Sequence, residues 1–108
     1  ALRARGVAAF AGALDLRDDA EVGRFHAEAA TALGGPFDVL VNAAGLSAQE
    51  EMAGHTDATW RAVLDVNLTG AYRTTRRCFG PMAERGWGRI VNIASTAADV
   101  GYPRHAAY

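Results

Sequence analysis

Three short apolar runs recur along the chain, and each ends in polar or glycine residues. They cover residues 7–14, 37–41 and 89–95. None shows helical periodicity, and each is short enough for a strand that is covered on both faces. The pattern therefore predicts three buried strands, and residues 1–6 have the composition of a helix tail that precedes them.

Two longer segments between these runs carry helical patterns. Asp18 and Asp19 can cap the first, whose apolar positions 22, 25, 29 and 33 share one face, and the Gly-Gly-Pro of residues 34–36 predicts its end. The second helix is predicted to begin at a Thr56 cap and to reach about Glu84. A Gly-Trp-Gly sequence then breaks the chain before the third strand.

The order strand, helix, strand, helix, strand predicts the α/β fold class. Strands that alternate with helices pair in parallel through right-handed crossovers, and helices cover both sides of the sheet. We therefore expect a doubly wound parallel sheet in a three-layer α/β/α arrangement.

Composition narrows the choice of partner. All eleven basic residues are arginines, and with twelve acidic residues they give a formal net charge of -1. This balance gives no electrostatic reason to expect nucleic acid or an anionic membrane as a partner, and it favours a small or neutral ligand. The single cysteine, Cys78, excludes an internal disulfide framework and a Cys-cluster metal site, and it fits a reducing, cytoplasmic compartment. No apolar run approaches the about 18 to 20 residues that a membrane span needs.

Polar or glycine residues stand at the carboxyl ends of all three predicted strands. These are Asp15, the turn Asn42-Ala43-Ala44-Gly45, and Ser95. Because ligands of parallel α/β sheets lie along the carboxyl edge, their convergence predicts a site there. Taken singly, each has a plainer reading, with Asp15 capping the next helix, Gly45 turning the chain and Ser95 starting a loop.

The middle of the long helix contains two poor helix formers, Asn67 and Gly70. Their presence in an otherwise well-formed helix predicts a bend. The alternative for Asn67 is that its side chain only faces solvent or a neighbouring helix.

Ser95 and Tyr108 stand thirteen residues apart, with Ser95 at the end of the third predicted strand. Together with Asp15 and the Asn42 turn, this order and spacing resembles the short-chain dehydrogenase/reductase family, in its shorter branch. The family's tyrosine opens a Tyr-x-x-x-Lys motif, and this chain contains no lysine. The resemblance therefore implies that 1–108 is an internal, partial Rossmann-type domain, which lacks the N-terminal Gly-rich unit and everything after the tyrosine.

The resemblance also assigns roles to particular residues. In the family, an Asp at the position of Asp15 holds the adenine amino group of NAD or NADP, and the turn that corresponds to residues 42–45 passes close to the adenosine ribose. In this chain Ala43 replaces the second Asn of the family's turn. The main-chain carbonyl of Asn67 would hold a water in a proton relay. Tyr108 would be the general acid or base, and Ser95 would hold the substrate oxygen.

The reaction implied is hydride transfer that interconverts a ketone and a secondary alcohol, as in 3-oxoacyl reductases and related ketoreductases. The alternatives are an inactive or truncated member that binds a nucleotide or a protein partner, and an epimerase or dehydratase of the extended branch. The resemblance further implies a homodimer or homotetramer through the helix at 56–84. The 108-residue segment alone is expected to be inactive.

The family's strand order, 3-2-1-4-5-6-7, has a consequence for folding. The predicted strands here correspond to the third, fourth and fifth, so the first two would lie between 7–14 and 37–41. We therefore expect the isolated segment not to form a continuous sheet.

Several other residues carry weaker predictions. Arg73, Arg76 and Arg77 form an i, i+3, i+4 cluster that predicts a solvated or subunit-contact face, with a phosphate site as the alternative. His26 and His55 are interpreted as surface residues. Residues 100–102 are expected to line the substrate pocket, and His105 could reach its mouth.

Overall fold

The computed structural model describes residues 3–108 of the chain. Its helices are α1 (Asp19–Leu33), α2 (Asp57–Leu64) and α3 (Ala71–Glu84), with a π-helical turn, Asp65–Gly70, joining α2 to α3. Its strands are β1 (Val39–Asn42) and β2 (Arg89–Asn92). Short 3-10 turns occupy Arg3–Arg5, Met52–Gly54 and Thr96–Ala98. Of the helix tail predicted for residues 1–6, the first two positions lie outside the described residues.

Local signals set the ends of α1 as the sequence predicts. The Asp18 carboxylate accepts hydrogen bonds from the main-chain N–H groups of Ala20 and Glu21, at 2.8 and 3.2 Å, which satisfies donors that the helix itself leaves free. Gly34 ends the helix in the left-handed conformation, at φ 85°. The predicted cap is therefore confirmed for Asp18 and the predicted stop for Gly34, whereas Asp19 is the first residue of the helix and does not cap it.

The sheet has two parallel strands in register. Val39 pairs with Arg89 at one end, and Asn42 pairs with Asn92 at the other. Parallel pairing of the second and third predicted strands is therefore confirmed, and their carboxyl ends lie side by side.

The strand predicted over residues 7–14 is wrong for this structure, since the segment is not part of the sheet. A strand is held by hydrogen bonds to a neighbour, and in the expected strand order the one neighbour of this segment is the second strand, which residues 1–108 do not include. The segment still packs on α1, with the Phe10 ring edge-on to Phe25 at a centroid distance of 5.4 Å.

Helices cover one face of the sheet. α3 contacts both strands and α1 packs against α3, while Val39, Val41 and Val91 on the strands remain exposed. Within residues 3–108 the arrangement is therefore helix on sheet rather than three layers. An exposed apolar face on a parallel sheet is the surface that a second helical layer covers in a complete α/β domain.

The long helix begins at the predicted Thr56 cap, and it departs from regular α-helical geometry at the predicted position. The Thr56 hydroxyl accepts a hydrogen bond from the main-chain N–H of Thr59 at 3.1 Å. The helix then continues to Glu84, interrupted by the π turn that contains Asn67 and Gly70. Gly70 is buried, and a Cβ at this position would lie 2.8 Å from Leu16 Cβ. A glycine is needed here because the helix passes so close to the chain after Asp15.

The arginine cluster of α3 binds the first residue of α1. Arg77 Nη1 lies 2.9 Å from Asp19 Oδ1, Arg76 Nη2 lies 3.2 Å from Oδ2, and Arg73 Nε lies 3.7 Å from Oδ1. Hydrogen bonding to Arg77, with the charges of the three guanidinium groups, lowers the pKa of Asp19. The predicted solvated face is wrong for Arg73 and Arg77, which are half-buried and hold α1 against α3.

Neither His26 nor His55 is the surface residue that the sequence analysis predicts. The His26 ring packs edge-on against Phe37 at 5.2 Å, and burial together with the nearby charge of Arg77 lowers its pKa. His55 is half-buried, with its ring 6.4 Å from that of Trp60.

Cys78 is buried in the small core, and burial raises the pKa of its thiol. None of the helices within residues 3–108 has the length and apolarity to cross a bilayer.

Candidate active site

The carboxyl ends of the two strands are joined by their last side chains. Asn42 Nδ2 donates to Asn92 Oδ1 at 2.8 Å and to Thr75 Oγ1 at 3.2 Å, and Asn42 Oδ1 accepts from the Thr74 hydroxyl at 2.7 Å. These contacts use both donor hydrogens of the amide, so the Asn42 side chain has no N–H left to donate to a ligand. It supports the sheet edge and fixes the start of the turn at 43–45.

Asn67 holds the chain just after that turn. Its Oδ1 accepts from the main-chain N–H of Leu46 at 2.7 Å, and its Nδ2 donates to the Leu46 carbonyl at 2.9 Å. The alternative in which Asn67 only faces solvent is wrong. The π turn thus presents an amide that fixes the backbone at the end of Ala43-Ala44-Gly45.

Asp15 is held by a neighbour two residues along the chain. Arg17 Nε lies 3.0 Å from both carboxylate oxygens, Arg17 Nη2 donates to Oδ2 at 2.6 Å, and the main-chain N–H of Arg17 donates to Oδ1 at 2.9 Å. These hydrogen bonds lower the pKa of Asp15 to about 2, so the carboxylate is ionised at neutral pH. Glu21 Oε2 accepts from the main-chain N–H of Asp15 at 2.8 Å.

Asp15 and the turn after β1 line one cavity of about 760 Å³. Residues 13–17, 44–46 and Val66 contribute to its wall, together with Glu21 and Arg24 of α1. Two of the three predicted strand-end features therefore meet at one place. Ser95 and Tyr108 are not among the residues that line this cavity.

Ser95 and Tyr108 lie beyond the end of β2. Ser95 Oγ accepts a hydrogen bond from the main-chain N–H of Ala97 at 3.2 Å and so caps the 3-10 turn Thr96–Ala98. Tyr108 is 44% exposed, and its ring lies 6.3 Å from that of His105. Within residues 3–108 no hydrogen bond connects Ser95 with Tyr108, so their joint role stays a prediction.

A second, smaller cavity of about 330 Å³ lies beside this segment. Gly101, Tyr102 and His105 line it, whereas Val100 does not. The facing loop is tied to it by a hydrogen bond from the Glu50 main-chain N–H to the Arg104 carbonyl, at 2.9 Å. Two of the three residues expected in the substrate pocket, Gly101 and Tyr102, therefore line this smaller cavity together.

Sequence reasoning missed the residues that hold the predicted ones in place. Arg17 is the clearest case, and the Asp-x-Arg spacing was a usable signal, because an Asp side chain readily bonds to groups two residues on. Thr74 and Thr75, which bind Asn42, gave no signal. In the described part of the chain no group of three or more His, Cys, Asp or Glu residues could hold a metal ion.

Comparison with known proteins decides the family. A family model described as short chain dehydrogenase matches residues 1–108. The chain belongs to the short-chain dehydrogenase family.

The relatives of this short-chain dehydrogenase include reductases. It is 44% identical over 110 residues to a protein of Streptomyces virginiae named as a ketoacyl reductase of the monensin polyketide synthase, covering 100% of this chain and 42% of that protein. It is 45% identical over 67 residues to the acetoacetyl-CoA reductase of Cupriavidus necator, covering 62% of this chain and 27% of that protein. The short-chain dehydrogenase described here thus spans less than half the length of these curated relatives.

The fold agrees with that of a solved relative. This short-chain dehydrogenase superposes on a crystal structure of an actinorhodin polyketide ketoreductase variant with NADPH at a TM-score of 0.89 and 41% identity. The match covers 98% of this chain and 41% of the ketoreductase chain. The α/β prediction is therefore confirmed as part of a Rossmann-type domain.

Proposed function

We propose that the protein containing this chain is an NAD(P)-dependent oxidoreductase that interconverts a ketone and a secondary alcohol. The observation that carries the proposal is the cavity shared by Asp15 and the turn Ala44-Gly45, at the carboxyl edge of a sheet matched to that of a ketoreductase. Ligands of such sheets bind along this edge. The names of the reductase relatives support the same reaction class.

The residues of the cavity fit the adenosine part of such a cofactor. Its volume of about 760 Å³ falls within the about 300 to 1,000 Å³ typical of small-molecule sites. Ala44 and Gly45 carry little or no side chain, which lets a ligand approach the backbone. Asp15 offers an ionised acceptor for an amino group. NAD and NADP both remain compatible with these residues.

The bound cofactor would supply or accept a hydride at the substrate carbon. Tyr108 is proposed to give or take the proton at the substrate oxygen, and Ser95 to hold that oxygen by a hydrogen bond. Tyr108 is exposed at the end of the described chain, which leaves its hydroxyl accessible to a substrate.

Asn67 and Asn42 are proposed to act by positioning. Asn67 fixes Leu46 through two hydrogen bonds, and Asn42 fixes the end of β1. The π turn also alters the regular main-chain hydrogen bonding around Asn67, which supports a free role for its carbonyl in a proton relay.

The direct test is turnover by the whole protein that contains this chain. We expect acetoacetyl-CoA to be reduced to the 3-hydroxy product with equimolar loss of the reduced nicotinamide absorbance, with either NADH or NADPH. Binding of the cofactor without turnover of any ketone in a panel would contradict the proposed enzymatic activity. It would favour the alternative, a family member that binds a nucleotide without catalysis. Failure to bind either cofactor would contradict both.

Self-association is also part of the proposal. The long helix exposes a row of large apolar side chains, namely Trp60, Leu68, Tyr72 and Phe79. They follow one another at intervals of eight, four and seven residues, which keeps them near one face of a helix. An exposed apolar surface of this kind marks an interaction site, and the proposed occupant is the same helix of a second copy.

Replacing Phe79 with Glu is expected to convert the assembly to a monomer, because a charge would then be buried between two helices. The measurement is the mass of the whole protein by size-exclusion chromatography with light scattering. Met52→Glu is the control, since Met52 is 75% exposed against 62% for Phe79 but lies away from the helix. A wild-type monomer, or an unchanged mass for Phe79→Glu, would contradict the proposed interface.

A further inference from the structure

Two loops are fastened to each other beside the smaller cavity. The main-chain N–H of Glu50 donates to the Arg104 carbonyl at 2.9 Å, and Arg104 Nε lies 3.2 Å from Glu51 Oε1. Both loops supply wall residues of that cavity, Glu50 and Met52 from one and Tyr102, Arg104 and His105 from the other. These two contacts, here called the clasp, therefore hold one wall of the cavity against the other.

The backbone of the clasp is strained at Arg104. Its φ is 66°, and within residues 3–108 no other non-glycine residue has a positive φ. A side chain in this left-handed region costs free energy, which the surrounding contacts have to offset. His105 Nδ1 donates to the Pro103 carbonyl at 2.8 Å, and this hydrogen bond closes the turn around Arg104. Strain of this kind is found preferentially at functional sites, and here it lies just before Tyr108 in the chain.

The contacts that close the clasp are weak. The side chains of Arg104 and Glu51 are 53% and 75% exposed, and an ion pair as exposed as this contributes little in water. The one main-chain hydrogen bond contributes a free energy of the same order as the strain that opposes it. The closed and open arrangements of the two loops are therefore close in free energy, so a small change in either contact shifts the balance between them.

We propose that the clasp controls the width of the smaller cavity, and that Arg104 is thereby a specificity-determining residue. The closed clasp admits a straight-chain ketone, whereas a fused-ring ketone is wider and enters only when the clasp opens. A substrate in this cavity lies close to Tyr108, because the His105 ring on the cavity wall is 6.3 Å from the Tyr108 ring. The inference rests on the proposed function, since it concerns the substrate of that reaction.

The test compares two substitutions of Arg104 in the whole protein. The readout is the kcat/KM for α-tetralone, a fused-ring ketone, divided by that for methyl octyl ketone, a straight chain with the same number of carbons. Arg104→Ala removes the ion pair but keeps a side chain at positive φ, so the ratio should rise about two- to fivefold. Arg104→Gly removes the strain as well, so the clasp stays closed and the ratio should be at least about threefold lower than in Arg104→Ala.

This order separates the clasp from a simple effect of space. Both substitutions remove the guanidinium and its carbon chain, and glycine leaves slightly more room than alanine. If the Arg104 side chain acted only by filling the cavity, Arg104→Gly would show a ratio equal to or above that of Arg104→Ala. That result would overturn the inference.

Salt and Glu51→Gln act on the ion pair and leave the strain in place. In the wild type the ratio should rise by up to about fivefold from low to high ionic strength, because salt screens an exposed pair. Glu51→Gln should show the raised ratio at low salt and no further rise. The same salt dependence in Glu51→Gln as in the wild type would overturn the inference.

Arg61→Ala is the matched control. Arg61 forms an exposed ion pair with Asp57 on α2, at 3.0 Å, and neither residue lines the smaller cavity. The ratio should be unchanged in this variant. An equal rise in Arg61→Ala and Arg104→Ala would show a general effect of charge and overturn the inference.

Hydrogen exchange of the Glu50 amide, followed by NMR, separates the clasp from the proposed function. This N–H is the donor of the clasp, so its exchange rate measures opening without any substrate. Exchange should be about two- to fivefold faster in Arg104→Ala than in the wild type, and slower in Arg104→Gly than in Arg104→Ala. This order without turnover of any ketone would confirm the clasp and contradict the proposed function. Equal exchange rates in all three proteins would overturn the clasp, whatever the turnover.

Discussion

Under the proposed function, replacing Tyr108 with Phe is expected to reduce the turnover of the whole protein by about a thousandfold, within the range seen when a general acid or base is lost. The change removes one oxygen atom and keeps the aromatic ring, so the contact with His105 at 6.3 Å should persist. Since Tyr108 does not line the cavity that contains Asp15, binding of the cofactor should change little. The measurements are kcat with a ketone substrate and the cofactor dissociation constant.

Tyr102→Phe serves as the comparison for this variant. The Tyr102 hydroxyl is 3.3 Å from the Thr96 hydroxyl, so its loss removes a local hydrogen bond and no proposed proton donor. We expect its kcat to stay within about tenfold of the wild type, as for the loss of one neutral hydrogen bond. Equal kcat values for the two variants would contradict the role given to Tyr108.

Replacing Gly88 with Ala is expected to destabilise the protein by about 2 to 3 kcal/mol, the cost of overpacking a well-filled core. A Cβ at this position would lie 2.5 Å from Cβ of Met82, a buried residue on α3. Met82 cannot avoid the contact by changing its rotamer, because Cβ is fixed to the helix backbone. Urea unfolding of the whole protein should show a lower midpoint.

Gly54→Ala provides the matched substitution. A Cβ at Gly54 would meet no atom within 4 Å, and its backbone does not need a positive φ. The free energy of unfolding should rise slightly or stay within about 1 kcal/mol, because alanine restricts the unfolded chain. A similar loss of stability in both variants would rule out the contact with Met82 as the cause.

Elements set by neighbouring residues were predictable from the sequence. Asp18 and Thr56 cap helices because their side chains reach main-chain N–H groups within three residues, and Gly34 ends α1 for an equally local reason. Local signals could not decide whether residues 7–14 form a strand, and the strand predicted there is absent from the sheet. Whether an apolar segment becomes a strand depends on which other segment pairs with it, and that partner is remote in sequence.

The candidate site likewise has parts that the sequence could predict and parts that it could not. Asp15 and the turn at 42–45 were placed at one edge from strand order alone, and Asp15 lines one cavity together with the last two residues of the turn, Ala44 and Gly45. Their partners were hidden, because Thr74 lies 32 residues from Asn42 and reaches it only through the packing of α3 on β1. Asn67 was predictable in part. Its poor helix propensity indicated that the position is unusual, but it did not indicate the two hydrogen bonds to Leu46.

The π turn makes the long helix sensitive to length as well as to composition. A π turn holds one more residue than the α-helical path it replaces, and one residue corresponds to a rotation of about 100° around a helix axis. Asn67 binds Leu46 from within the turn, and Thr74 binds Asn42 from beyond it. Deleting a single residue between them would leave a regular helix whose two ends are out of phase. The helix could then face Leu46 or Asn42 correctly, but not both. The extra residue is therefore what allows one continuous helical segment to bind both ends of the turn.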